Sequence, residues 1–508
     1  MRARLRILLV VCCLVLAGCD APATRQPSAT ETGTPATTAA GDAKTPATTA
    51  GGDTPATTAG RTDSSAADAP AGDDTTRTAT PTPPRSPRAL AATYDVDTPA
   101  ALPTNVSLVF ARTALLADRP DAEPPSTVEI RRDAGTQVGP GRYPPFFDVL
   151  GIARPNGTQA YPAFVANPDR IVVNRNLTAR PALLEATLAQ EAVHVLQFSN
   201  RRPVTLRRAV AGGRVTVDES YVVTALLEGT AVYTESVYQR RYQNATTTRI
   251  DDLRRLLADR TTVGRISYGI YYYGARHVRD RLDSPAGLER VYESPPETTE
   301  QLLHGRDAGP QATLPVTAET ETYETRPRRR TTFGELFVRE TLATRLEPSV
   351  AARAAAGWGT DERLVFVDGT ESETTDAAGY VWTHRWDTVG DAREFTAAFG
   401  RYLNATQNRS AVTGPNGQTT GWRSDGRTYR LRRLDDRTTA LVAGDPGFVA
   451  NATVTVGEDG VVVGQTPNSV GTPNRTKKPT AATRVPTATS RPPNDCIGLV
   501  TRSSSNSR

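Results

Sequence analysis

Four cysteines, four histidines, three lysines and one methionine are all that this 508-residue sequence holds of those types. Cys12 and Cys13 fall in the first apolar run, which leaves Cys19 and Cys496, too few for an intrachain disulfide framework. Four histidines allow at most one histidine-rich metal centre. After residue 16 no stretch reaches 18 apolar residues, so no later segment is expected to span a bilayer. The apolar fraction is 38%, below the ~45–50% of ordinary globular chains, so part of the sequence should lie outside any packed core. Glycine-rich phosphate loops, Gly-x-Ser-x-Gly elbows and EF-hand loops are missing too, which removes the motif-bearing nucleotide, serine-hydrolase and calcium classes.

The formal charge of +5 does not point to nucleic acid. Residues 461–508 carry seven basic and one acidic side chain, whereas the long middle is close to neutral. A DNA- or RNA-binding domain would need its own basic face, so no nucleic-acid partner is expected.

The first residues set the compartment. Arg2, Arg4 and Arg6 precede an apolar run from Ile7 to Leu16, followed by Leu16-Ala17-Gly18-Cys19. Ten residues rise about 15 Å as a helix, half of a hydrocarbon core, which fits a signal peptide over 1–18. Its end resembles a lipobox, which implies lipidation of Cys19 and a membrane anchor at the cell surface. Residues 19–94 are rich in Thr, Pro and Ala and repeat Thr-Pro-Ala-Thr-Thr-Ala from Thr34, Thr45 and Thr54. Such a segment buries too little to order itself and reads as a disordered stalk. Residues 461–508 read as a disordered basic tail. Asn-x-Ser/Thr sequons at Asn105, Asn156, Asn176, Asn244, Asn404, Asn408, Asn451 and Asn474 suit a glycosylated extracellular surface.

Between them an α+β fold is expected, with an α-rich core over 95–310 and a smaller β-containing part over 311–460 packed on it. Arg170–Asn174 reads as a strand. Pro181 opens a helix running to about Phe198, with Leu184, Leu188, Ala192 and Val195 as its apolar stripe. A second long helix covers about 218–242. Further helices are expected at 248–259, 268–283, 299–304, 333–356 and 391–403, with strands at 364–367, 379–382, 428–434 and 438–442.

The candidate chemistry lies in Gln190-Glu191-Ala192-Val193-His194. A zinc helix of the His-Glu-x-x-His kind puts two imidazoles on one face at i and i+4, with Glu at i+1 as general base. Here His194 and Glu191 hold their places, but Gln190 stands where the first histidine belongs. On the next long helix, Glu228-Gly229-Thr230-Ala231 resembles the Glu-Gly-x-Ala stretch that supplies the carboxylate ligand in gluzincin metallopeptidases. Pro295-Pro296-Glu297, Gly357-Trp358-Gly359-Thr360-Asp361, Trp386-Asp387 and Asp391–Phe395 extend the likeness. Together with the anchor and stalk, residues 140–445 resemble a haloarchaeal family of surface lipoproteins with a zincin-like core.

That resemblance implies two functions. In one, the domain is a zincin-like scaffold without catalysis, in which Gln190, Glu191 and His194 form a hydrogen-bonded polar cluster and no cofactor is held. An envelope protein or glycan would be its partner. In the other, the protein is a zinc metallopeptidase: Glu191 the base, His194 and Glu228 metal ligands, the third ligand unidentified. A glutamine amide is a poor zinc donor. The remaining histidines, His277, His304 and His384, read as core, helix-end and strand residues. The Arg326–Arg330 run reads as a solvated loop. Trp358, Trp382, Trp386 and Trp422 raise carbohydrate binding by 364–443, though core positions account for them better.

The anchor is directly testable. Native protein should partition with membranes, and Cys19→Ser should move it to the soluble fraction. Membrane retention of the variant would exclude a lipid anchor at this residue.

Overall fold

The computed structural model describes residues 86–465, apart from 133–143, 153–160, 212–214, 260–263, 306–307, 309–312, 369–376, 407–408 and 414–418. The expected signal peptide, Cys19, nearly all of the expected stalk, the expected tail beyond Gln465 and the sequons at Asn156, Asn408 and Asn474 lie outside the described residues. The fold is α+β, as its sequence pattern predicts.

The helical part opens with α1 (Val106–Leu116), capped by the Asn105 side chain on the Leu108 N–H. A small sheet follows, made of β1 (Thr127–Arg131), β2 (Ala163–Asn167) and β3 (Arg170–Asn174), in the order β1-β3-β2. β1 runs parallel to β3, whereas β2 pairs antiparallel with it along its other side. From β3 a short turn feeds α2 (Pro181–Ser199), which starts on its proline. Every residue from Ala186 to Gln197 is buried. The expected one-sided stripe is therefore a helix enclosed on all sides, because α1, β2 and the next long helix all pack against it.

That next helix, α3 (Val217–Gln243), is opened by a full capping box between Thr216 and Glu219 and closed by Asn244 in the left-handed conformation. At 27 residues it is about 40 Å long. It lies against α4 (Arg265–Arg279) with backbone touching backbone. A Cβ on Gly229 would stand 2.3 Å from the Gly274 carbonyl carbon, and one on Gly274 would stand 2.1 Å from the Ala225 carbonyl oxygen. Only hydrogen fits at that crossing. α5 (Thr299–His304) follows, its N-terminus capped by Thr298.

Two points depart from the sequence pattern here. The expected helix over 333–356 is two helices, α6 (Gly334–Ala343) and Pro348–Ala355. Pro348 has no N–H to continue the ladder and restricts the residue before it. The run of short elements also extends past the expected limits: a helix at Pro87–Ala91 buries Leu90 inside the presumed stalk, and the last strand continues to Gln465 inside the presumed tail.

The C-terminal part is built on a seven-stranded antiparallel sheet. It comprises β5 (Tyr323–Thr325), β6 (Trp358–Asp368), β7 (Gly379–Trp386), β8 (Ser410–Thr413), β9 (Thr419–Ser424), β10 (Arg427–Arg433) and β11 (Thr438–Gly444), in the order β5-β6-β7-β11-β10-β9-β8. One face receives α7 (Val389–Ala405), whose Phe395, Phe399 and Tyr402 pack among Trp382, Trp386 and Trp422. The opposite face carries a second apolar cluster under a three-stranded sheet of β4 (Val316–Glu319), β12 (Ala452–Gly457) and β13 (Gly460–Gln465), ordered β12-β13-β4. All four tryptophans are at most 6% exposed, so they are core residues and offer no stacking platform for a sugar.

The two parts share one core, which runs from Leu102 to Ala443. Its joint is Asp361 on β6. This carboxylate accepts the Phe333 and Gly334 N–H groups, the latter at 2.8 Å, and the indoles of Trp358 at 3.0 Å and Trp382 at 2.7 Å. Burial pushes its carboxyl up to about 6 against the pull of those donors. Beside it Gly334 adopts φ +85°, and a Cβ there would meet Asp218 Oδ1 at 1.7 Å. Asp218 in turn accepts the Thr299 hydroxyl at 2.5 Å. The start of α6 is thus clamped from β6, α3 and α5 at once.

The helix crossing gives a stability test. Gly274→Ala should cost about 1–3 kcal/mol through forced separation of α3 and α4. Gly447→Ala, where a Cβ meets nothing within 4 Å, should be neutral or slightly stabilising. Denaturant midpoints compare the two, and an unchanged midpoint for Gly274→Ala would refute the tight crossing.

Candidate functional site

The residues singled out on α2 and α3 do come together, on the shared face of the two helices. Gln190, Glu191, His194 and Gln197 from α2 meet Glu228, Thr230 and Glu235 from α3, and none is more than 5% exposed. Helical spacing explains the set. Positions 190, 191, 194 and 197 fall on one side of α2, and 228 and 235 are two turns apart on α3.

Gln197 organises the cluster. Its Nε2 donates to the Leu227 carbonyl at 2.8 Å, to Thr230 Oγ1 at 2.8 Å and toward Tyr292 OH at 3.1 Å. A carbonyl can only accept, so the orientation of this amide is fixed. Its Oε1 then faces His194 Nδ1 at 2.8 Å, and that nitrogen must carry the proton. The other imidazole nitrogen, Nε2, points at Glu228 Oε2 at 3.4 Å. Neither of these two atoms has a hydrogen-bond partner of good geometry.

The electrostatics follow from burial. Enclosure alone would lower the His194 imidazole, but the facing Glu228 carboxylate, helped by Glu191 and Gln197, outweighs it and pushes it up to about 9. Burial, reinforced by Glu228, pushes Glu191 up to about 7, while His194 and the Val165 N–H of edge strand β2 pull the other way. Glu235 is raised to about 8 by burial, with Arg249 opposing. The cluster thus sets a cationic imidazole beside Glu228, with Glu191 and Glu235 both resisting ionisation.

A resident catalytic zinc needs three protein ligands. His194 Nε2 and Glu228 Oε2 are placed as two donors would be, yet the position for the third holds the amide of Gln190. Among the described residues no three His, Cys, Asp or Glu side chains gather as a metal-holding group. The donor set therefore does not fit a three-ligand zinc centre. Beside Gln197 and Tyr292 lies a cavity of about 20 Å³, room for a single water.

The other histidines are engaged elsewhere. His277 Nδ1 lies 3.1 Å from the Leu302 carbonyl, and burial, aided by Arg281, pushes its imidazole down to about 4. His304 at the end of α5 pairs with Glu335 at 2.8 Å. His384 sits between Trp382, Trp386 and Phe395. The basic run is less free than its composition suggests: Arg326 pairs with Glu324, and Arg330 makes a two-pronged contact with Glu362. Of the described sequons, Asn105, Asn176, Asn244 and Asn404 are exposed and Asn451 is half-buried. Sequence reasoning missed Gln197, Thr230, Tyr292 and Glu235. The one available signal was spacing, since 197 follows 194 by three residues and 235 follows 228 by seven.

Residues 321–454 match a family described as a domain of unknown function, DUF8575. No curated protein and no solved structure matches the chain.

The enclosed histidines make a pH test possible. Burial pushes His384 down to about 3 from an ordinary 6.5, opposed by its bond with Thr439. Below 6.5 the unfolded chain binds a proton there that the folded chain refuses. Its contribution to stability is therefore complete above 6.5 and declines as the pH falls towards 3. In an NMR titration the His384 ring signals should stay at their neutral positions down to pH 4. A midpoint near 6 would contradict its enclosure.

Proposed function

We propose that the protein is a lipid-anchored extracellular surface protein whose folded region is a zincin-like scaffold without peptidase activity, serving envelope binding or structure. The observation that carries this reading is the Gln197-centred network. It occupies the face where a metal helix would present its ligands, and it holds His194 between an amide and a carboxylate. The amide of Gln190 at the first ligand position supports the same reading, as does the burial of Glu191, which keeps a general base from any substrate bond. Exposed sequon asparagines at four positions agree with an exterior location.

A second reading, a zinc metallopeptidase with Glu191 as base and His194 and Glu228 as ligands, draws support from one feature. His194 Nε2 and Glu228 Oε2 face each other 3.4 Å apart, both buried and without a hydrogen-bond partner.

The two readings separate by elemental analysis and by stability. The scaffold reading expects purified protein with no stoichiometric zinc and no hydrolysis of unfolded casein. It also expects His194→Ala and Glu228→Ala each to cost about 3–5 kcal/mol, since each strands a buried partner. The double variant should cost less than their sum. Stoichiometric zinc that vanishes in His194→Ala would overturn it. Gln190→His gaining both zinc and hydrolysis, where the native chain shows neither, would exclude the metallopeptidase reading.

A further inference from the structure

The face of the seven-stranded sheet opposite α7 is only partly covered. Side chains alternate across a strand, so Leu364 and Phe366 of β6, Val381 of β7 and Val442 of β11 line up under Phe448, Val449, Val461 and Val463 in the second apolar cluster. Beyond Val442 the next residue on this face is Ala440, too small to reach β12. A cavity of about 220 Å³ opens there between β10–β11 and β12, space for about seven waters.

Its lining has two characters. Ala440 and Val442 close its base and are at most 3% exposed, Val454 and Leu434 are half-buried apolar walls, and Arg430 and Arg432 stand at the rim with the threonines of β12. The arginines are two residues apart on β10, opposite Val442 and Ala440, and so point to the same side. No acidic side chain lines the cavity. The nearby carboxylates are spent on other arginines, Asp435 on Arg385 at 3.1 Å and Glu362 on Arg330. Arg430 is half-buried and donates to the Ala452 carbonyl, which holds its guanidinium against β12. Burial, then the like charge of Arg432, keeps that guanidinium below its ordinary value. Two like charges set side by side over an apolar floor are unfavourable by themselves, and an anion placed between them would relieve the repulsion.

We propose that this cavity binds an organic oxyanion, a ligand whose carboxylate or sulfate ester is held by Arg430 and Arg432 while a ring-sized body lies against Val454 and Leu434. Guanidinium forks suit two-oxygen recognition of such groups. The site is separate from the α2–α3 cluster and stands whether or not that cluster has a catalytic past.

Calorimetric titration of the full chain with glucuronate and with glucose, at constant ionic strength set by chloride, tests the proposal because the two ligands share a ring and differ in charge. Glucuronate should bind saturably and glucose about tenfold more weakly or not at all. Arg432→Gln should weaken glucuronate about tenfold, because this exposed side chain can be changed without unseating β12. Arg353→Gln, on a distant surface helix, should leave binding unchanged. Inorganic sulfate should compete with glucuronate. Equal binding of glucose, no loss in Arg432→Gln, or failure of sulfate to compete would each overturn the assignment.

Discussion

The bare crossing of α3 over α4 is the constraint from which the helical part takes its geometry. With glycine at 229 and 274 and alanine at 225, the two axes approach until backbone meets backbone. Successive helical residues point about 100° apart, so when Gly229 faces α4 its neighbour Glu228 must turn toward α2. The pairing of Glu228 with His194 is thus set from behind, by a packing demand on the other side of the helix. A Glu-Gly dipeptide that looks like a ligand motif has, in this fold, a mechanical reason for its second residue.

A comparable demand governs the seam between the helical and sheet-rich parts. Asp361 meets four N–H donors from three segments, and Asp218 holds the same helix start through Thr299, whose hydroxyl oxygen accepts the Leu336 N–H. Buried carboxylates with this many donors cost desolvation and return directionality. The gain is a fixed register between the two halves of the core, which apolar contacts alone would leave free to slide.

Much of this was legible in the sequence where a local rule governs. Pro181 marks the start of α2, and the paired strand patterns at 428–434 and 438–442 mark the β10–β11 hairpin. The α+β order followed from those. What stayed hidden depends on distant partners. The complete burial of α2 follows from its neighbours, and its own periodicity shows one stripe only. The strand β2 is a short apolar run, Ala163–Asn167, that local propensity leaves open between strand and loop. Within the candidate site, Glu191, His194 and Glu228 could be picked out by motif spacing. Gln197 could not, because an amide earns its role only when Leu227, Thr230 and Tyr292 surround it. The oxyanion cavity is invisible for the same reason: Ala440 is an ordinary strand residue until Val442 and β12 are built on either side of it.

The three-stranded sheet has a consequence for the order in which the chain is made. β4 lies at 316–319, and the strand beside it, β13, arrives about 145 residues later in the chain and pairs parallel to it. Val461 and Val463 on β13 are part of the second apolar cluster. As the chain emerges from the N-terminal end, everything between those strands must wait with one core unsealed and β4 unpaired. Pairings so far apart in sequence are slow to form. Synthesis that stalls before residue 465 leaves a sheet face open to other chains. The last described strand, β13, therefore acts as a closing stitch, and truncation there threatens solubility before it threatens any site.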